Sequence, residues 1–235
     1  MHGPSDGAAA TRMLVNSEEN SPLRHNCSGK HTGMLAQAIL GGYSKEDYIN
    51  PTHPIQQTIL KTFSEFTAVP VDQILPGTDE CSAPVFAIPL EKAARAFALL
   101  ADPSSLPEPR RSALRRIFAA MTTYPNMVAG PTGFDTALMS VGGGKILSKG
   151  GAEGYQALAL LPGACGEGSP AYGITLKIAD GDQSRPERAR PVAAIALLQQ
   201  LGALNGEQVQ ALGRFAARPL YNWRKIEIGE IRAAI

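Results

Sequence analysis

Cysteine is scarce in these 235 residues, with only Cys27, Cys81 and Cys165. A set so odd and sparse cannot build a disulfide framework. It points instead to a reduced, cytoplasmic setting in which cysteines are core residues, metal ligands or nucleophiles. A charge excess is also missing: the formal net charge is +1, with Lys and Arg scattered along the chain. That leaves no face for nucleic acid and no electrostatically held membrane partner. No run approaches the ~18 consecutive apolar residues of a membrane-spanning helix. The start, MHGPSDGAAATRML, has no basic region followed by an apolar one and does not read as a signal peptide. Internal repeats and low-complexity linkers are absent as well. What remains is an ordinary globular balance, 44% hydrophobic and 18% charged, in a chain long enough to bury a sizeable core.

Periodicity and punctuation predict helices over residues 6–15, about 31–40 and 54–66. Ser28 is the expected cap of the second, with Met34, Leu35, Ala38 and Ile39 on one face and Gly41-Gly42 as its stop. In the third, Ile55, Ile59, Phe63 and Phe66 recur at helical spacing behind Pro54. PGTDECSAP reads as a loop, VFAIP as a short apolar run, and Pro89 as the start of the helix EKAARAFALLA. Residues 109–121 form a further helix with Leu114, Ile117 and Phe118 inward. After Pro125, glycines punctuate short apolar runs, and TALMSV, KIL, YQALALLP and AYGITLKIAD read as strands of an antiparallel sheet. Helices over 186–201 and 207–215 and a closing strand, KIEIGEIR, complete the reading. Helices, then strands, then helices predict an α+β fold, an antiparallel sheet flanked by helices, in a single domain spanning 1–235. The densest motif arrives soon after the start, so the chain is expected to begin partway through a larger domain.

That motif is HNCSGKHTG, residues 25–33. Cys27 and Lys30 stand three apart just before a helix, where exposed backbone N–H groups favour a thiolate. A single C-x-x-K is a weak signal, since cysteine is commonly a small buried hydrophobe. Cys81, however, lies in the polar loop Asp79-Glu80-Cys81-Ser82. Two thiolates and a third donor make a zinc site, and lysine serves only after losing its proton. His25 and His31 are rival ligands, and each also reads as a hydrogen-bonded cap or loop histidine. Cys165, in the glycine-rich PGACGEG, reads as incidental.

Lys149 follows a short strand in KILSKGGAEG. Serine-acylating enzymes of the penicillin-binding type carry Lys-Thr/Ser-Gly on such a strand, although a solvated hairpin lysine is the plainer reading. Those enzymes place their nucleophile in S-x-x-K, the lysine one helical turn away to accept its proton. No serine here has a lysine three residues on, and Ser28-Gly29-Lys30 is one residue short.

Taken together, HNCSGKHTGML, GTDECSAP, VAGPTGFDTALM, SKGGAEG and GITLKIADGD resemble the rhizobial-type, thermolabile L-asparaginase II family, in the family's order and over nearly the whole chain. The resemblance implies a fold similar to serine β-lactamases and glutaminases, here N-terminally incomplete. It implies hydrolysis of the side-chain amide of L-asparagine to L-aspartate and ammonia by a serine and a lysine, beside a zinc ion. Cys27, Lys30 and Cys81 are then the implied zinc ligands. Asp79 sits beside the metal to orient water or the substrate's ammonium group, with Ser28 and His31 in the same substrate-binding wall. Lys149 matches the family's K-x-G-A-E-G lysine and becomes the implied catalytic residue. The chain departs from the pattern in two places. The S-x-x-K segment and the serine that partners Lys149 are expected upstream, and Thr132-Gly133 stands where a basic residue is expected before Phe-Asp-Thr. The partner implied is a small molecule, asparagine, with a homodimer left open. Two alternatives remain: a β-lactamase or penicillin-binding-type amide hydrolase, and a catalytically inactive fragment.

Overall fold

The computed structural model describes residue 4, residues 6–179 and residues 189–234. The end of GITLKIADGD and the first residues of the helix expected from 186 lie outside the described residues. The chain divides into two compact units, Met1–Pro89 and Leu90–Ile235.

The first unit opens with α1 (Gly7–Val15), where Asp6 caps the helix by accepting from Ala9 N–H. α2 (Ser28–Leu40) starts three residues earlier than predicted. Cys27 occupies the cap position and no side chain caps it, so Ser28 is the first helical residue rather than the cap. Of the predicted inward face only Met34 and Ala38 are fully buried, and Ile39 is 62% exposed. α3 (Pro54–Thr67) follows the prediction, with Pro54 at its first position and His53 Nδ1 accepting from Ile55 N–H. Met34, Ala38, Ile55 and Ala83 form the core of this unit, with Tyr48, Ile59 and Cys81 packed against it.

PGTDECSAP is more ordered than the predicted loop. β1 (Leu75–Thr78) and β2 (Pro84–Ala87) pair antiparallel, from Leu75 opposite Ala87 to Thr78 opposite Pro84. Two prolines in eight residues hid this hairpin. It is a free two-stranded ribbon, where Pro need not donate to a neighbouring ladder.

The second unit supplies α4 (Leu90–Ala101), α5 (Arg110–Thr123) and a single turn, α6 (Asn126–Ala129). Phe118 of α5 is buried as predicted, whereas Ile117 is 47% exposed. TALMSV is not a strand: it lies in α7 (Phe134–Val141), bounded by Gly133 and Gly142. Phe134 and Leu138, one helical turn apart, are buried, but so are Asp135, Thr136 and Met139. Burial on nearly every side leaves no amphipathic stripe, and a short apolar run then cannot be told from a strand by periodicity.

β3 (Ile146–Gly150), β4 (Tyr155–Leu160) and β5 (Tyr172–Lys177) form the antiparallel sheet in the order β3-β4-β5. The register sets Ile146 opposite Leu160, and Leu160 opposite Tyr172. Successive side chains of a strand point to opposite faces. Here Ile146, Leu158 and Leu160 join one core cluster, while Leu147 and Ala159 join the other. The first face is covered by α7, α8 (Arg190–Gln200) and α9 (Gly206–Leu212), the second by α4 and α5. Both faces being buried explains why YQALAL reads as a continuous apolar run. The close approach of α4 requires Gly173, whose added Cβ would stand 1.9 Å from Ala94 O. The predicted closing strand is β7 (Glu227–Ile231), paired with β6 (Arg218–Tyr221), which sequence reading missed. The fold is α+β.

Candidate functional site

The residues of HNCSGKHTG and the β1–β2 loop converge within the first unit. Asp79 builds the loop: its Oδ1 accepts from Cys81 N and Ala83 N, both at 3.0 Å, and its own N–H donates to Ala83 O at 3.0 Å. This closed turn aims Cys81 at the start of α2. There Cys27, Lys30 and His31 lie within one helical turn. The Cys81 thiol meets Asp79 Oδ1 at 3.0 Å and His31 Nε2 at 2.9 Å. Cys27 and Lys30 stand near enough for their ionisation to respond to Cys81. Lys30 in turn donates to Asp79 Oδ2. One sulfur thus has four polar neighbours drawn from two sequence segments about fifty residues apart.

The electrostatics follow from that crowding. Burial pushes the Asp79 carboxyl up, but hydrogen bonds from Cys81, Lys30 and Ala83 outweigh it and bring the pKa down to about 2. Burial lowers Lys30, and the bonds to Asp79 and Cys81 more than reverse this, holding it protonated. Burial and the Cys81 contact raise the Cys27 thiol against the pull of Lys30. Burial and the Lys30 charge lower His31. His25 Nδ1 accepts from Cys27 N–H at 3.1 Å, the loop-histidine role open to it from sequence. Ser28 sits beside His31 in a cavity of about 440 Å³, whose wall also includes His25, Tyr48, Glu80 and Cys81.

Lys149 belongs to the second unit, exposed on β3, with its Nζ donating to Gly150 O. Next to it lies a buried cluster that sequence reading passed over. Asp135 accepts from Ser148 Oγ at 2.6 Å, Gly150 N at 2.7 Å and Gln156 Nε2 at 2.9 Å. Gln156 Oε1 accepts from Arg190 at 3.0 Å. An acidic residue inside the apolar run FDTALM was the available signal. Arg214 donates to Thr132 O, bringing a cation to the place where the sequence itself carries none. Cys165 packs at the edge of a core cluster, and burial raises its thiol.

Among the described residues, no group of three or more His, Cys, Asp and Glu side chains is arranged to hold a metal ion. Lys30 is the nitrogen donor the resemblance adds to Cys27 and Cys81, and the structure holds it protonated, so it would have to give up its proton to bind a metal. The donor types fit: Asp79 meets both the Lys30 nitrogen and the Cys81 thiol, and Cys27 lies at the start of the helix that carries Lys30. Thiolate and nitrogen donors suit zinc.

An α+β protein that gathers an imidazole and a carboxylate around one thiol, with an amine on that carboxylate, has the equipment of an enzyme. A family model, L-asparaginase II, matches residues 1–233, and the chain belongs to that family, one of hydrolases acting on amides. No curated protein matches it. Among the described residues no helix is long and apolar enough to cross a membrane.

Proposed function

We propose that this protein acts on L-asparagine, hydrolysing its side-chain amide to L-aspartate and ammonia, and that Cys27, Lys30 and Cys81 hold a zinc ion beside the substrate. The observation that carries the reading is that Asp79 meets both Lys30 and the Cys81 thiol, with Cys27 at the start of the helix that carries Lys30, in a member of the L-asparaginase II family. Bound zinc supplies a fixed positive charge that orients substrate. Asp79, ionised across the neutral range, attracts the substrate's ammonium group. Its Oδ2 becomes available when Lys30 gives up its proton to serve as a donor. Ser28 and His31 line the cavity and contact the bound amino acid. A serine attacks the amide carbon, a lysine takes the serine's proton, and backbone N–H groups hold the oxyanion. Lys149 is the lysine of this chain assigned to that chemistry. A fold like that of serine β-lactamases accommodates the same arrangement.

The absence of S-x-x-K among the 235 residues favours a second reading, in which the chain binds metal and amino acid without turnover. Ammonia release from L-asparagine, measured with zinc content on the natively purified, folded chain, separates the two. Turnover places a nucleophile within these residues. A folded chain with about one zinc and no turnover leaves the second reading standing, and a zinc content near zero refutes the metal assignment.

A further inference from the structure

We propose that Tyr48 is a positioning residue for the Cys81 thiolate: through His31, its hydroxyl fixes the imidazole tautomer that donates to Cys81 Sγ. The inference rests on the zinc reading above.

Three groups stand in line. Tyr48 Oη lies 2.6 Å from His31 Nδ1, and His31 Nε2 lies 2.9 Å from Cys81 Sγ. The two rings meet edge to face, perpendicular, with centroids 5.7 Å apart. Tyr48 does not depend on His31 for its place. Its carbonyl accepts from Gln56 Nε2 at 2.8 Å, Gln56 is buried in α3, and the Tyr48 ring packs on the core of the unit. The phenol is therefore held from behind and presents its hydroxyl to an imidazole carried by α2.

A neutral imidazole has one N–H and one bare nitrogen. With Cys81 protonated, its single S–H is given to Asp79 Oδ1, and the sulfur meets His31 Nε2 as an acceptor. A thiolate can only accept. Once Cys81 becomes one, Nε2 must carry the proton and Nδ1 must accept, and the Tyr48 hydroxyl is the donor that meets Nδ1. Ligating sulfurs and imidazoles depend on such partners for orientation and basicity. Both ring nitrogens are then engaged, which places His31 behind Cys81 rather than on the metal. Without the hydroxyl, the required tautomer leaves Nδ1 bare among partly buried groups. The other tautomer turns a lone pair toward the thiolate.

The test compares the full chain with Tyr48→Phe, His31→Gln and the double variant. Zinc affinity is read by competition with a chromogenic chelator, and the thiolate-to-metal charge-transfer band by cobalt substitution. Tyr48→Phe keeps the ring and its packing, so its metal-free circular dichroism stays that of wild type. Its zinc affinity falls about 10- to 100-fold, the usual cost of losing a group behind a ligand, and the cobalt band shifts. Glutamine has no tautomer to fix, so adding Tyr48→Phe to His31→Gln produces no further loss. Equal zinc affinity in wild type and Tyr48→Phe overturns the proposal, as does the same loss in both backgrounds. Should Tyr48→Phe fail to fold, His31→Gln against His31→Leu reads the bond to sulfur directly, and equal affinity there overturns it too. A wild-type chain that takes up no zinc overturns the zinc reading and this inference together. Zinc uptake with additive losses refutes the inference alone.

Discussion

Asp135→Ala is the substitution for which the structure gives the firmest magnitude. The carboxylate is 5% exposed and accepts three hydrogen bonds, from Ser148 Oγ, Gln156 Nε2 and Gly150 N–H. Each buried donor left without an acceptor costs about 1–3 kcal/mol. Only the Gln156 donor is partly compensated, because its Nε2 also reaches Ser148 Oγ at 2.9 Å and Ala157 O at 3.3 Å. The Gly150 N–H keeps no such substitute in the cluster. The change also removes a negative charge from beside Arg190: a Cβ built on Gly150 would lie 1.7 Å from Arg190 Nη1 and 3.1 Å from Asp135 Oδ2. Together these give a loss of about 3–5 kcal/mol, well above that of an average substitution. Urea unfolding of the full chain measures it, as a lower midpoint with an unchanged slope. Asp135→Asn keeps one oxygen but faces an N–H2 against remaining donors, and it falls between wild type and alanine. An alanine variant within about 1 kcal/mol of wild type would refute the idea that this carboxylate holds the β3 end, since that is less than one buried donor costs.

Two further outcomes follow from the geometry. Gly173→Ala drives a Cβ to 1.9 Å from Ala94 O and 2.3 Å from Ala98 N. Neither is a side chain that can swing away, so α4 must lift from β5 at a cost of about 3 kcal/mol, read as a lower thermal midpoint. Asp79 has a folded pKa of about 2 against an ordinary 3.8. A carboxyl so lowered contributes stability that is full above about pH 3.8 and is lost as pH falls through about 2. The gap in urea midpoint between wild type and Asp79→Asn therefore narrows across that window, and a gap independent of pH there would contradict the assignment.

Much of the candidate site could be read before the fold was known, and the reason is local chemistry. C-x-x-K at a helix start and a cysteine in a polar loop draw notice to Cys27, Lys30 and Cys81 by residue type, while their grouping as ligands and the role of Asp79 came from the resemblance to the L-asparaginase II family. Tyr48 carried no such mark: its role comes from meeting a histidine seventeen residues away. Asp135 was hidden for a related reason. Its partners Ser148, Gly150 and Gln156 are brought to it only when α7 lies against the β3–β4 ribbon.

By itself, the sequence determined the α+β class, the helices α1, α3, α4, α5 and α9, and all three strands of the central sheet. Caps, prolines and apolar periodicity act within a few residues, and they are written in order along the chain. Tertiary structure alone decided that TALMSV is helix, that PGTDECSAP forms a hairpin, and that Ile39 and Ile117 face outward. Each depends on what lies on the far side of the element. An apolar side chain is buried only where another element covers it, and a short run takes the conformation that its surroundings can pack. The alignment of Tyr48, His31 and Cys81 was settled in the same way, because no single segment contains it.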